Sequence, residues 1–192
     1  DLRGSTRLSE EMEPDDYLSF LKRYFDCAAQ PVIDEGGEIL DYVGDAVLAI
    51  FPIHGDTAGP EAVRAACRAA ERALELKEEI GAEQESDPAM RFCISMAIGE
   101  VMFGNIGVPE RLSFSVIGSV VNEVARMDDI SKQRGRSVLA TGDIAAVSPK
   151  CWTSLGPQNL PGVVQPVELF ARVCEKDAFD VGETDMMLSR SA

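Results

Sequence analysis

The chain has 192 residues, 45% of them hydrophobic, a size that predicts one domain with a single sizeable core. Its formal net charge of −15 at pH 7 argues against nucleic acid or an anionic membrane as partner, and an anionic ligand would need a compensator such as a metal ion. Five scattered cysteines, one histidine and no long apolar run predict a cytoplasmic protein with reduced thiols rather than a disulfide framework, a zinc site or a membrane span.

The first elements follow a loop-like start. The sequence DLRGST opens with no preceding segment, which suggests a truncated N-terminal strand. Residues 14–33 place apolar side chains three or four apart, with Pro14 at a favourable first-turn position and Asp15 and Asp16 at the positive end of the helix dipole. This pattern predicts an amphipathic helix.

A hairpin and a long helix come next. Two β-rich runs, 38–43 and 46–51, flank the dipeptide Gly44-Asp45, which suits a tight turn. From about Gly59 to Gln84 the chain is rich in Ala, Glu, Arg and Leu at helical spacing. A hairpin with an aspartate at its tip, followed by a long helix, is therefore predicted.

The second half of the chain mixes strands and helices. The predicted elements are strands over 91–99 and 100–107, a change from strand to helix at Gly118, a strand over 137–141, a helix over 143–147, and closing strands near 151–156 and 163–173. Hairpins alternate with helices, so we expect a mixed sheet with helices packed on one face. The predicted fold class is α+β.

Three segments together resemble one family, the class III nucleotidyl cyclase catalytic domains. They are DLRGST at 1–6, GGEILDYVGDAVLAIF at 36–51 and FSVIGSVVNEVARMD at 114–128, in the order and spacing of that family. The resemblance covers 1–174 and implies a ferredoxin-like domain that works as a head-to-tail homodimer. It also implies conversion of a purine nucleoside triphosphate to the 3′,5′-cyclic monophosphate and pyrophosphate. Residues 175–192 are expected to form a loosely ordered tail.

The resemblance assigns metal and phosphate ligands. Asp1 and Asp45 match the two aspartates that hold two Mg²⁺ (or Mn²⁺) ions, an arrangement used for in-line displacement at phosphorus. Gly4, Ser5 and Thr6 could offer backbone N–H groups to the terminal phosphates. Taken alone, Asp45 is also an ordinary hairpin residue, and Ser5 or Thr6 an ordinary helix cap.

Two polar residues of the third segment lie four apart and so share a helix face, namely Asn122 and Arg126. A solvated polar stripe would have the same spacing. The resemblance implies that Asn122 positions the ribose and that Arg126 stabilises charge on the α-phosphate in the transition state. In this family the pair acts on the metal site of the other subunit, which makes dimerisation part of the mechanism.

The base-reading positions depart from the pattern of adenylate cyclases. Asp41 stands where those enzymes carry a lysine, and Ser115 stands at its usual partner position. A carboxylate accepts hydrogen bonds, and guanine offers N1–H and N2–H₂ on one edge. Adenine could still bind through N6–H₂, and a pyrimidine stays open. Asp41 could also be an exposed residue of an alternating strand.

Two other functions stay open at this point. A lysine that some members use for the terminal phosphates would fall near Pro161, so a nucleotide-binding regulatory domain without turnover is the main alternative. A phosphohydrolase with the same metals would need a general base. The single histidine, His54, lies in a Pro/Gly loop where a surface role is expected.

Overall fold

The computed structural model describes residues 1–55, 59–83, 89–108 and 111–173. The expected tail at 175–192 lies outside the described residues. The elements in chain order are α1 (Ser5–Glu11), α2 (Pro14–Asp34), β1 (Glu38–Val43), β2 (Ala46–Ile50), α3 (Gly59–Glu83), β3 (Ile94–Met96), β4 (Met102–Val108), β5 (Arg111–Ile117), α4 (Ser119–Arg134), β6 (Val138–Thr141), α5 (Gly142–Val147), a 3-10 turn (Pro149–Cys151), β7 (Trp152–Gln158) and β8 (Val167–Arg172). The predicted α+β class is confirmed.

The chain divides into two compact units. The first comprises Asp1–Phe92 and Met102–Ile117, and the second comprises Cys93–Val101 and the described residues 118–173. Among the described residues, no helix combines the length and the apolar character that crossing a membrane requires.

The core of the first unit forms where α2 packs on α3. Helix α2 begins with Pro14 in its first turn, as predicted, and buries Phe20, Tyr24 and Cys27. The Cys27 Sγ–H donates to the carbonyl oxygen of Ala73 on α3, 3.2 Å away. Burial raises the pKa of Cys27 to about 12, so this thiol stays protonated and packs as a small apolar side chain.

Two antiparallel hairpins complete the first unit. Strand β1 pairs with β2, and β4 pairs with β5. The pairing of β1 with β2 shifts between Ile39 and Asp41, so Leu40 forms a β-bulge. Gly37 lets α2 and β2 approach closely, because a Cβ at this position would lie 2.6 Å from Val32 Cγ1 and 2.9 Å from Phe51 Cζ.

The second unit is built on a mixed four-stranded sheet in the order β3-β6-β8-β7. Strands β3 and β6 run parallel, and the other neighbours run antiparallel. Helix α4 contacts β3 and β6, and its fully buried Met127 joins a core cluster with Leu139, Leu160, Leu169 and Ala171. A helix packed on a mixed sheet matches the predicted architecture.

Strand β3 is shorter than its apolar pattern predicts. Only Ile94–Met96 pair as a strand, whereas the expected run was 91–99. Phe92 instead forms an isolated antiparallel bridge with Leu2, and the carbonyl oxygen of Arg91 accepts the N–H of Arg3 at 2.7 Å. The start of the predicted strand therefore binds the N-terminal residues.

Candidate active site

Asp45 lies at the tip of the β1–β2 hairpin, as the sequence predicts. Val43 pairs with Ala46, so Gly44 and Asp45 form a two-residue loop, and Gly44 takes the positive φ of 66° that such a loop needs. The Asp45 residue is half-buried. Burial raises the pKa of the Tyr17 hydroxyl on α2, and the negative charge of Asp45 raises it further. Asp45 therefore lies near the start of α2.

Asp1 is held in place by its neighbours in sequence. The side chain of Leu2 is 2% exposed, and Leu2 pairs with Phe92. Asp1 itself is half-buried. Both Asp1 and Asp45 belong to the first unit and offer carboxylate oxygens, the hard donors that Mg²⁺ prefers, so each of them could serve as a magnesium ligand.

The segment Gly4-Ser5-Thr6 leads into α1. Gly4 is the N-cap residue with φ 69°, and no side chain caps the helix. The reading of Ser5 or Thr6 as the cap is therefore wrong, because the left-handed backbone at the cap suits glycine and places both hydroxyl residues inside the first turn. The first backbone N–H groups of a helix have no partner within it. The N–H groups of Ser5 and Thr6 are therefore available to an acceptor.

Asp41 and Ser115 lie on strands that contact each other, β1 and β5. Asp41 is exposed, follows the bulge at Leu40, and accepts the backbone N–H of Tyr42 at its Oδ1, 2.8 Å away. Ser115 is half-buried and pairs with Gly104 of β4. The structure thus places the two expected base-reading residues on neighbouring strands.

Asn122 and Arg126 are both exposed on α4. They lie on the side of the helix away from the buried Met127 and Ser131, which confirms that the two share one face. They belong to the second unit, whereas the other predicted site residues belong to the first. Pro161 lies in an exposed turn before β8, and His54 lies in an exposed loop after β2.

Sequence reasoning missed two polar interactions in the second unit. Cys93 donates its Sγ–H to Oδ1 of Asp128, a pair that no local sequence pattern connects. Burial raises the pKa of Glu123, and the charge of Asp143 raises it further. A sequence signal for Glu123 did exist, because it interrupts the helical apolar stripe of Val120, Val124 and Met127.

Comparison with known proteins identifies the class. The sequence model of the adenylate and guanylate cyclase catalytic domain matches residues 1–147. An adenylate cyclase of Anabaena cylindrica is 31% identical over 147 residues, which are 75% of this chain and 28% of that protein. The chain belongs to the adenylate and guanylate cyclase catalytic domain family, and it spans less than a third of the length of this relative.

Solved structures agree with the family in fold. A bacterial light-regulated adenylyl cyclase superposes with a TM-score of 0.79 at 19% identity, covering 98% of this chain and 54% of that one. The guanylyl cyclase Cya2 superposes with a TM-score of 0.69 at 26% identity, covering 96% of this chain and 90% of that one. The α+β architecture is therefore that of cyclase catalytic domains.

Proposed function

We propose that this chain is the catalytic domain of a class III nucleotidyl cyclase, which converts a purine nucleoside triphosphate to the 3′,5′-cyclic monophosphate and pyrophosphate. One observation carries the proposal: the family match over 1–147 contains every residue proposed for the site, from Asp1 to Arg126. The acidic and the base-reading residues also belong to a single unit.

Asp1 and Asp45 would hold two magnesium or manganese ions. When bound, such ions neutralise charge on the phosphates and favour ionisation of the ribose 3′-hydroxyl. The positive φ of Gly4 turns the chain into α1, so that the N–H groups of Ser5 and Thr6 can donate to the terminal phosphates. The two carboxylates would bind and orient the ions, and the backbone N–H donors would hold the pyrophosphate that leaves.

Asn122 and Arg126 act on the ribose and on the α-phosphate. The Arg126 guanidinium stays charged and forms two parallel hydrogen bonds to phosphate oxygens. Such donors stabilise charge that grows in the transition state, so their main effect is on kcat. Asn122, one turn before Arg126 on the same exposed face, orients the ribose through its amide.

A homodimer supplies both sets of residues to each site. The ribbon of β4 and β5 exposes several apolar side chains, with exposed fractions of 73% for Met102, 59% for Phe103 and 59% for Val108. Exposed apolar residues on such a ribbon favour contact with a second copy. Dimerisation through this ribbon fits a mechanism in which Asp45 and Arg126 of different subunits act together.

The base is guanine in this proposal. Asp41 uses one carboxylate oxygen to accept the N–H of Tyr42, which fixes the side chain, and it keeps acceptor capacity for the base edge. Two adjacent donors on guanine match this acceptor. Adenine presents one donor beside the lone pair of N1, which faces the carboxylate unfavourably.

The direct test uses the four nucleoside triphosphates. The protein is incubated separately with ATP, GTP, CTP and UTP in the presence of Mg²⁺ or Mn²⁺, and the products are identified by mass spectrometry together with released pyrophosphate. Cyclic GMP as the main product is expected. Binding of a triphosphate without any cyclic product would contradict the proposal and favour a regulatory nucleotide-binding domain.

A further inference from the structure

A hydrogen bond between a thiol and a carboxylate ties α4 to the strand beneath it. Cys93, directly before β3, is 3% exposed, and its Sγ–H donates to Oδ1 of Asp128 on α4. The other oxygen, Oδ2, lies 3.4 Å from Nζ of Lys132, one helical turn further on. The Asp128 side chain is 15% exposed. The carboxylate is therefore directed toward the sheet rather than into solvent.

The link lies at the edge of the buried face of α4. Met127 is fully buried beside Asp128, whereas Asn122 and Arg126 are exposed on the opposite side. Because a helix is rigid, a rotation about its axis moves both exposed side chains together. A rotation of about 10° displaces a side-chain tip about 6 Å from the axis by about 1 Å. A directional bond at Asp128 therefore restrains the rotation that moves the guanidinium of Arg126.

Other contacts fix the two ends of α4. A Cβ at Gly99 would lie 2.6 Å from Cβ of Val120, so the first turn of the helix rests directly on the backbone there. At the other end Gly135 takes φ 60°, and the N–H of Arg136 donates to the carbonyl oxygen of Ser131 at 3.2 Å. These contacts set how closely the first turn of α4 approaches the backbone at Gly99 and where the helix ends. The Cys93–Asp128 bond adds a constraint on its rotation.

We propose that Cys93 and Asp128 are positioning residues for the cyclisation, which hold α4 at the rotation where Asn122 and Arg126 meet the ribose and the α-phosphate. Neither residue touches the substrate, and both act through Arg126. This inference rests on the proposed function, since it assigns a supporting pair to the same site.

The first test is kinetic. Cys93→Ala removes the donor with little change of volume, and it is expected to lower kcat by about tenfold to a hundredfold, the cost of a misplacement near 1 Å. KM should stay within about twofold, because the lost interaction is made in the transition state. Cys93→Ser keeps an O–H donor and should recover most of kcat. Cys151→Ala, at the exposed cysteine of the 3-10 turn, is the matched control and should match wild type.

The second test asks whether the pair acts as a unit. Asp128→Ala should lower kcat like Cys93→Ala, and the double variant should be no slower than the slower single variant. Lys132→Ala removes the ion pair with Asp128 and keeps the bond between Cys93 and Asp128. Asp129→Ala removes a neighbouring exposed carboxylate and serves as the control. Losses that multiply in the double variant, or a serine variant as slow as the alanine variant, would overturn the proposal.

A third measurement does not depend on catalysis. Hydrogen exchange of the amides in 119–134 should be faster in Cys93→Ala than in wild type and should return to the wild-type rate in Cys93→Ser. Equal exchange in all three proteins would overturn the inference, whatever their activities. If the wild type makes no cyclic nucleotide, the proposed function fails, and this comparison still decides whether the bond holds α4.

Discussion

Tyr17 near the start of α2 experiences the charge of Asp45 at the hairpin tip. Burial raises the pKa of the Tyr17 hydroxyl, and the Asp45 carboxylate raises it further. A tyrosine with this neighbour reports on any change of charge at Asp45, so one proposed metal ligand can be followed by ultraviolet absorbance without an activity assay.

Replacing Asp45 with Asn should lower the pKa of Tyr17 toward its ordinary value of about 10, because the repelling charge is lost. A hydroxyl whose pKa is raised in the folded state contributes stability that is complete below the ordinary pKa and is lost as pH rises through the folded value. Asp45→Asn should therefore reduce the alkaline loss of stability. Titration of tyrosinate absorbance, with Tyr17→Phe to identify the signal, checks the direction; an unmoved Tyr17 pKa would contradict it.

Metal and nucleotide together should raise the melting temperature of the wild type. A ligand that binds only the folded state stabilises it by mass action. Asp1→Asn and Asp45→Asn should each reduce the rise seen with Mn²⁺ and a nucleoside triphosphate. Asp34→Asn, at an exposed carboxylate bonded to Gln30 at the end of α2, is the control and should keep the full rise. A melting temperature that does not change when the metal and the nucleotide are added would count against Asp1 and Asp45 as ligands.

Two inactive variants should restore activity when they are mixed. An Asp45→Ala chain keeps Asn122 and Arg126, and an Arg126→Ala chain keeps both aspartates. If each site takes residues from two subunits, a heterodimer carries one complete site. Turnover should then approach half of the wild-type value per heterodimer. Native mass spectrometry verifies that heterodimers form, and activity no higher than that of either variant alone would reject a shared site.

Asp41→Lys should change the preference from GTP to ATP. The lysine donates to adenine N1 and loses both contacts with guanine, and an acceptor that faces another acceptor costs about 1–3 kcal/mol, which is about fivefold to 150-fold in kcat/KM. Ser115→Asp should strengthen the change by accepting from N6–H₂. Glu38→Lys, exposed at the start of the same strand, adds the same charge as a control. An ATP/GTP ratio that Asp41→Lys leaves unchanged would deny Asp41 a role in base reading.

Glu123→Gln should stabilise the protein near neutral pH. Burial and the nearby Asp143 raise the pKa of Glu123, so the stability that its neutral form provides is complete below the ordinary pKa and is lost as pH rises. Glutamine keeps the shape without the charge. The melting-temperature difference between variant and wild type should grow from pH 4 to about pH 7, whereas Glu10→Gln, exposed on α1, should show no such trend.

Local sequence signals predicted the elements that carry the proposed site. Pro14 marks the start of α2, and Gly44 next to Asp45 marks the hairpin tip, because each of these residues has its own backbone preference. Asn122 and Arg126 share a face because their spacing alone sets it. These features need no information about distant parts of the chain.

Features that depend on distant partners were missed. The bulge at Leu40 arises in the pairing of β1 with β2, and the shortening of β3 follows from the pairing of Phe92 with Leu2. The bond between Cys93 and Asp128 joins residues 35 positions apart. In each case tertiary contacts decide among conformations that the local sequence permits equally.

The division of the chain into two units has a consequence for truncation and for synthesis. The backbone passes between the units after Phe92, after Val101 and after Ile117, so no single cut releases either unit intact. Strand β3 finds its parallel neighbour β6 only after the whole β4–β5 ribbon and α4 have been made. A nascent chain that stops at Ile117 would leave β3 with an unpaired edge, where another chain can pair and aggregate. Because β6 pairs in turn with β8, expression of fragments should therefore keep 93–172 together.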